Sequence, residues 1–395
     1  MRNTETIIDF GSSKVVCIIG ASGTDGQTEI YGSGVCEHKG LRWRNFVDEV
    51  NLRACVHSAV ESAQDEARRN VRSVFVGVPG PFLETVCRKA ELMFGKPHAI
   101  TDFDIDQLID FSLADEPAPN GCVPIHNFPV SFKLDGVSQN ALPIGQVCQC
   151  LSGIIAHVYM HEEFQTLVEG ILEDIRMEVK AFVDSTYAEG RLLVPSGQRE
   201  GDSLIIDVGY YHSDLELMRN SSPIYHKTLF VGGAHLAKDI SYVLGVADDV
   251  AESVKRRHVF GLDYSGRVDN YRLSNGSVVE FDYDSVQEIL EARVAELTDM
   301  ICALIEEAPV DVGANTPIFM CGGGLAMMRG GREYLQSVIG LPVTLQTQHL
   351  PRLNSHNYIS AHGVLAYALE YSDYGRSGNL KHNRVVQSLL DFFTK

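Results

Sequence analysis

Three apolar strands that each run into a turn of small residues constrain this chain more than any other feature of its sequence. They occupy residues 7–14, 204–214 and 318–324, and the first two end at Asp9 and Asp207. Backbone N–H groups in such turns can hold phosphate oxygens, and only small residues let the chain approach a phosphate that closely. The three loops together therefore predict a single nucleotide cleft.

The aspartates of the first two loops predict a magnesium site. Mg²⁺ keeps most of its hydration shell and takes one or two carboxylates, so Asp9 and Asp207 are expected to hold it through water. The residues expected beside the phosphates are Gly11, Ser12, Ser13, Lys14, Gly209, Ser213, Gly322, Gly323 and Gly324.

Length, charge and cysteine content limit the classes of protein to which this chain can belong. The 395 residues are enough for at least two cores. The formal charge of −19 argues against nucleic acid as a partner, because phosphate backbones require clusters of Lys and Arg. The start of the chain shows no apolar signal segment, and no apolar run reaches the ~18 residues that cross a bilayer. The nine cysteines lack metal-ligand spacing and are expected to be buried, reduced thiols in the cytoplasm.

Two absences from the sequence concern chemistry. No His-x-x-x-His pair lies on a helical face, which argues against a metal site built from histidines. No Gly-x-Ser-x-Gly or Cys/His pair indicates a hydrolase nucleophile.

The organisation predicts two related halves around the cleft. Residues 5–37 indicate a three-stranded meander, followed by a helix over 48–69 and a strand over 73–78. The second half repeats this plan from Asp207 and adds a helix over 285–306. We expect one long helix over 162–189 and a lone helix near 105–114. The predicted division is 1–82 (first lobe), 83–161 (proline-rich insertion), 162–200 (return to the first lobe), 201–371 (second lobe), 372–382 (linker) and 383–395 (terminal helix).

Further residues link the chain to a known family. The Asp-x-Gly-Ser-Ser-Lys opening, Gly232-Gly233 before Asp239-Ile240, and the trio Glu252, Lys255 and Arg256 resemble motifs of the actin-like ATPase superfamily, and within it of the bacterial cell-division FtsA family. The resemblance implies an α/β, actin-like (ribonuclease-H-like) two-lobed fold with an inserted small α+β subdomain. It also implies ATP and Mg²⁺ as ligands, with Glu252, Lys255 and Arg256 clamping the adenosine.

The same resemblance implies a function. Members of such a family would form filaments and tether an FtsZ-like tubulin homologue to the inner face of the cytoplasmic membrane at the division site. It also assigns Asp184 to the position of a residue that orients the attacking water, although a simple helix-terminal carboxylate fits that position equally well. Two alternatives remain: a PilM-like cytosolic scaffold that binds a membrane-protein peptide, and a catalytic actin-like kinase or ATPase.

The second phosphate loop departs from the family pattern. Tyr210, Tyr211 and His212 stand where the family has Gly-Gly-Thr. Side chains at these positions remove the close backbone approach that glycine permits. We therefore expect nucleotide binding to persist and hydrolysis to be slow at most.

The last thirteen residues predict an amphipathic helix. At 100° per residue, the apolar side chains fall within one arc and the polar ones fill the other. From residue 376 onward, four basic residues stand against one acidic residue, which suits an anionic membrane surface. The alternative is that this helix packs on its own protein or on a partner. The expected membrane-facing residues are Val385, Val386, Leu389, Leu390, Phe392 and Phe393.

Overall fold

The computed structural model describes residues 4–23, 27–114, 116–139, 141–272, 276, 278–346 and 352–376. In this part of the chain the strands are β1 (Thr4–Phe10), β2 (Lys14–Ser22), β3 (Thr28–Glu37), β4 (Leu41–Arg42), β5 (Asn45–Phe46), β6 (Ser73–Val78), β7 (Leu83–Ala99), β8 (Cys122–Leu134), β9 (Val137–Gln139), β10 (Val147–His161), β11 (Glu178–Asp184), β12 (Asp202–Val208), β13 (Ser213–Arg219), β14 (Ser222–Leu229), β15 (Val268–Arg272), β16 (Val278–Asp282), β17 (Ile318–Cys321) and β18 (Val343–Thr344). The helices are α1 (Glu49–Ala67), α2 (Asp102–Ala114), α3 (Glu162–Asp174), α4 (Ser185–Leu193), α5 (Gly233–Leu244), α6 (Asp248–Arg257), α7 (Tyr283–Glu306), α8 (Gly331–Ile339) and α9 (Ile359–Arg376).

Two five-stranded sheets share one topology, which confirms the prediction of two related halves. Their strand orders are β3-β2-β1-β6-β11 and β14-β13-β12-β17-β18. In each sheet the central strand pairs antiparallel with the hairpin strand on one side and parallel with a crossover strand on the other. Asp9 is the penultimate residue of β1, and Asp207 is the penultimate residue of β12. The shared topology therefore places both acids at the same edge of their sheets.

Residues 83–161 contain a sheet of their own, ordered β7-β10-β8-β9, with α2 packed against it. Part of its apolar side chains, including Ile105, Leu108 and Phe132, form a core separate from the main one, whereas others, such as Phe128 and Val158, belong to the main core. The sheet contacts the second lobe at β14, where the Ser222 hydroxyl donates to the Pro129 carbonyl at 2.9 Å. Treating this segment as an inserted subdomain stays a proposal.

The long helix predicted over residues 162–189 is wrong. The structure has α3, then β11, then α4 across this range. Arg176, with φ of 57°, takes the left-handed conformation that ends α3. Ile175, Val179 and Phe182 fall at helical spacing by coincidence, but the segment from Glu178 onward pairs in parallel with β6 and is therefore a strand.

The predicted linker over 372–382 is also wrong at its start, because α9 continues to Arg376. This helix returns to the first lobe, where it packs against β1 and α4, and Arg191 of α4 pairs with Glu370 at 2.8 Å. The expected amphipathic segment 383–395 lies outside the described residues. Among the helices that the structure describes, none has both the length and the apolar character needed to span a bilayer.

Candidate functional site

A cavity of about 460 Å³ opens between the two five-stranded sheets, within the usual size range of a small-molecule site. Loops at the ends of β1, β12 and β17 reach it, together with the last turns of α6. The structure thus brings together residues that are up to 351 positions apart in the sequence, from Asp9 to Ser360. The expected residues that line it are Asp9, Gly11, Ser12, Ser13, Lys14, Asp207, Gly209, Glu252, Lys255, Arg256, Gly322 and Gly323.

Four expected residues lie behind the cavity wall: Ser213, Gly232, Gly233 and Gly324. The Ser213 hydroxyl donates to the Val231 carbonyl at 2.7 Å. The amide of Gly233 donates to the Gly209 carbonyl at 2.9 Å, and that of Gly324 donates to the Val208 carbonyl at 2.7 Å. A Cβ at Gly324 would lie 2.3 Å from the Gly209 carbonyl oxygen. Close packing of the loops on each other therefore explains these glycines.

Asp9 is held by two hydroxyl groups that the sequence did not reveal. Its Oδ1 accepts from Ser185 at 3.0 Å and from Ser360 at 2.8 Å. Ser185 begins α4 and Ser360 lies in the first turn of α9, so two helices fix this carboxylate. Burial raises the pKa of Asp9 despite these hydrogen bonds.

Asp207 carries an oxygen without a partner. Its Oδ1 is buried and accepts no hydrogen bond from the described residues. Gly322, at φ of 91°, passes so close that a Cβ there would lie 1.9 Å from this oxygen. Burial, and then the charge of Asp214, raise the pKa of Asp207 to about 7. An orphaned carboxylate oxygen beside Asp9 fits the coordination chemistry of a hydrated Mg²⁺ ion.

The charge of the cavity also fits a divalent cation. Among its described lining residues are six acids (Asp9, Glu37, Glu189, Asp207, Asp214 and Glu252), against the three cations Lys14, Lys255 and Arg256 and the imidazoles of His212 and His356. A triphosphate alone would add negative charge to an already acidic cleft.

The basic groups occupy two sides of the cavity. The Lys14 ammonium lies 4.0 Å from the centre of the Tyr358 ring, and burial lowers the pKa of Lys14 to about 8. Across the cleft, Glu252 accepts from both Lys255 and Arg256 at 2.7 Å. The trio predicted from the sequence is therefore one ion-paired unit on α6.

The two tyrosines of the second phosphate loop differ in position. Tyr210 lines the cavity, whereas the Tyr211 ring packs on Gly40, where a Cβ would lie 2.5 Å from that ring. The Tyr211 amide donates to the Ser12 hydroxyl at 3.1 Å, which joins the first two phosphate loops. Of the two tyrosines, Tyr210 is therefore the one placed to obstruct a ligand.

His212 forms an ion pair within the same loop. Its Nε2 lies 3.2 Å from the Asp214 carboxylate. Burial alone would raise the pKa of Asp214, but the imidazole of His212 holds it below its ordinary value. Asp214 reinforces the pair by raising the pKa of His212, against the opposing effect of burial.

Asp184 lies outside the cavity, and a different acid of the same helix lines it. Asp184 caps α4, where its Oδ1 accepts from the Tyr187 amide at 3.0 Å. Glu189 faces the cavity instead, four residues after Ser185 and so on the same helical face. Burial, and then Asp207, raise the pKa of Glu189 well above its ordinary value. The spacing of Ser185 and Glu189 would have indicated this acid if the sequence analysis had started a helix at Ser185.

Comparisons with known proteins agree with this geometry. The family model described as "Cell division protein FtsA" matches residues 204–363. FtsA of Pseudomonas aeruginosa is 20% identical over 379 residues, covering 94% of this chain and 90% of that protein. FtsA of Borreliella burgdorferi is 22% identical over 416 residues, covering 100% and 99%.

The chain resembles FtsA proteins over nearly its whole length.

Solved structures show the fold of this chain. The PilM–PilN type IV pilus biogenesis complex matches with a TM-score of 0.63 at 14% identity, covering 93% of this chain and 99% of the matched chain. MreB 5 of Spiroplasma citri bound to AMPPNP matches with a TM-score of 0.57 at 12% identity, covering 95% and 99%. The predicted α/β, actin-like fold is confirmed.

Proposed function

We propose that this protein binds ATP with Mg²⁺ between its lobes, forms filaments, and tethers an FtsZ-like tubulin homologue to the inner face of the cytoplasmic membrane at the division site. The observation that carries the proposal is the facing pair Asp9 and Asp207. These acids occupy equivalent positions on β1 and β12 and line one cavity. The similarity to FtsA proteins over nearly the whole chain supports the cellular role.

The residues around the cavity divide into three roles in this proposal. Asp9 and Asp207 hold Mg²⁺ through its water shell, and the ion offsets the charge that phosphates would bring to an acidic cleft. Lys14, Ser12 and Ser13 contact phosphate oxygens. The ion-paired trio Glu252, Lys255 and Arg256 forms the adenosine side.

Slow hydrolysis follows from the second phosphate loop. Tyr210 occupies space at the cavity where the family has glycine, and the Tyr211 amide is already bonded to Ser12. ATP then acts as a ligand that favours the closed arrangement of the lobes through its higher affinity for that state. Assembly, rather than turnover, is the proposed output of binding.

The nucleotide proposal is tested by titrating ATP into the full chain with and without Mg²⁺, by calorimetry. Lys14→Met should weaken binding about 10-fold to 150-fold, because a hydrogen bond to a charged group contributes about 1.5–3 kcal/mol. Lys39→Met is the matched control, since Lys39 is exposed and pairs with Asp48 at 2.7 Å. Wild-type protein that binds no ATP in the presence of Mg²⁺ would refute the proposal.

The membrane part is tested with the terminal segment by co-sedimentation with anionic liposomes. Leu390→Glu should release most of the protein, because a carboxylate on the apolar face must be desolvated or must withdraw the helix. Ser388→Glu adds the same charge to the opposite arc and should retain most of the binding. If the intact chain ignores anionic liposomes, the tether is absent from this protein.

A second function is favoured by one specific observation, the match to the PilM–PilN complex. A scaffold of that kind would bind a membrane-protein peptide and would need no lipid-binding tail. Removal of residues 383–395 separates the two functions. For the adaptor, truncation releases the protein from lipid and leaves its melting temperature nearly unchanged. For the scaffold, the intact chain ignores lipid and truncation lowers the melting temperature.

A further inference from the structure

A buried cluster between the two lobes lies outside the nucleotide cavity. Asp184 at the end of β11, Glu216 on β13 and His226 on β14 each offer one ligand atom, and these atoms lie within 4.8 Å of one another. All three residues are buried, Asp184 and Glu216 completely. Glu216 and His226 are directly opposite in the register of β13 and β14. The cluster therefore joins the sheet of the first lobe to that of the second.

The atoms that point into this cluster have no described partner outside it. None of the described N–H or hydroxyl groups outside the cluster donates to Asp184 Oδ2 or to either oxygen of Glu216. Within the cluster, His226 Nδ1 lies 3.5 Å from Glu216 Oε2, and the carboxyl groups of Asp184 and Glu216 contact each other. Leaving such groups unsatisfied in the interior costs about 1–3 kcal/mol each, and more when they are charged. These groups face one another and no described partner outside the cluster, so a cation among them would be contacted by all three residues.

The outward-facing atoms of the same side chains are held in place. Asp184 Oδ1 accepts from the Tyr187 amide at 3.0 Å. His226 Nε2 lies 3.4 Å from the Thr228 hydroxyl and 3.8 Å from the Asp214 carboxylate. Metal-binding histidines usually donate their second ring N–H to such an oxygen, which fixes the ring and leaves the other nitrogen to the metal.

Distance and charge both suit a divalent transition metal. His226 Nδ1 lies 3.5 Å from Glu216 Oε2, close to the about 3.4 Å that separates neighbouring ligand atoms around a tetrahedral Zn²⁺ ion. Among the described residues, the groups whose charges act on Asp184 are Glu216, His226 and Asp214, and only His226 of these can be cationic. One dication would balance the two negative charges of Asp184 and Glu216. The His226 imidazole would bind it in the neutral form.

We propose that Asp184, Glu216 and His226 bind one Zn²⁺ ion that links the two lobes. An imidazole with two carboxylates favours zinc over magnesium, which prefers oxygen ligands in an octahedral arrangement. The site is separate from the nucleotide cavity, and its existence does not depend on ATP binding. No spacing in the sequence signals it, because its members come from three different strands.

The test uses the full chain, freed of metal with a chelator and free of nucleotide. ZnCl₂ is titrated against a chromogenic chelator, and Co²⁺ is added separately to record the visible absorption of a tetrahedral site. We expect one Zn²⁺ per chain. Glu216→Gln, which preserves shape, should weaken binding at least tenfold and remove the Co²⁺ absorption, and Asp184→Asn should do the same. Circular dichroism confirms that each variant is folded.

Two controls assign the metal to this cluster. Cys321→Ser alters a second cluster with Glu189 and Asp207, and His161→Gln alters a third with Glu84 and Cys122. Both variants should bind Zn²⁺ as the wild type does. The proposal is overturned if the wild type binds no Zn²⁺, if Glu216→Gln and Asp184→Asn bind it equally well, or if Cys321→Ser alone loses it. ATP binding by Glu216→Gln should be unchanged, so the two proposals fail separately.

Discussion

Replacing His157 should reduce the loss of folding stability that the sheet in residues 83–161 shows as the pH falls. His157 lies on β10 and is fully buried, with Nδ1 2.7 Å from Asn127 Oδ1 and Nε2 2.8 Å from the Ser112 hydroxyl. Burial, and then the charge of Arg88, lower its pKa to about 4. The folded state therefore excludes a proton that the unfolded chain binds below a pKa of about 6.5. The contribution of neutral His157 to folding stability is therefore fully present above pH 6.5 and is lost as the pH falls towards 4.

The magnitude follows from these two pKa values. Between pH 7.5 and 5.5, protonation of the unfolded imidazole stabilises the unfolded state by about 1.3 kcal/mol, whereas the folded imidazole stays neutral. The equilibrium constant for opening of the folded sheet is therefore roughly tenfold larger at pH 5.5 than at pH 7.5.

Hydrogen exchange of the β10 amides, corrected for the intrinsic effect of pH, measures that constant. The wild type should show a pH-dependent fall in protection about 1.3 kcal/mol larger than that of His157→Gln. Exchange of the β12 amides in the other lobe serves as the control for effects unrelated to this site. Equal pH dependence in both proteins would show that His157 does not exclude a proton in the folded state.

Three further predictions concern other parts of the molecule. Tyr210→Gly should raise ATP turnover, while Tyr211→Gly should not, because only the first ring lines the cavity; a phosphate-release assay decides between them. Gly34→Ala should destabilise the fold by about 1–3 kcal/mol in urea unfolding, since its Cβ would lie 1.9 Å from the Ala59 carbonyl oxygen of α1, whereas Gly95→Ala has open space and should change little. Raising the salt concentration should weaken liposome binding of the wild type, because the attraction of basic residues to anionic lipid is screened.

The fold was predictable because its strongest signals are local. The strand ending at Asp9 and the one ending at Asp207 each carry apolar residues and small-residue turns within about ten positions. The prediction of one helix over residues 162–189 was wrong because β11 pairs in parallel with β6. This long-range contact overrides a helical spacing of apolar residues that arises by coincidence. Ser360 and Glu189 reach the cavity through α9 and α4, whose packing on the first lobe no local pattern reveals. Asp184, Glu216 and His226 meet only after three strands are assembled.

Helix α9 connects the nucleotide cavity to the C-terminal end of the described chain. Ser360, in its first turn, holds Asp9 at the nucleotide cavity, and the whole helix is 18 residues long and ends at Arg376. At 1.5 Å per residue it is about 27 Å long, and its packing on β1 and α4 keeps it rigid. The start of α9 contacts Asp9, a residue proposed to bind Mg²⁺, and its end lies at the last residue that the structure describes. A change in the position of α9 would therefore reach the nucleotide cavity through the Ser360 hydroxyl, one of the two hydroxyl groups that hold Asp9.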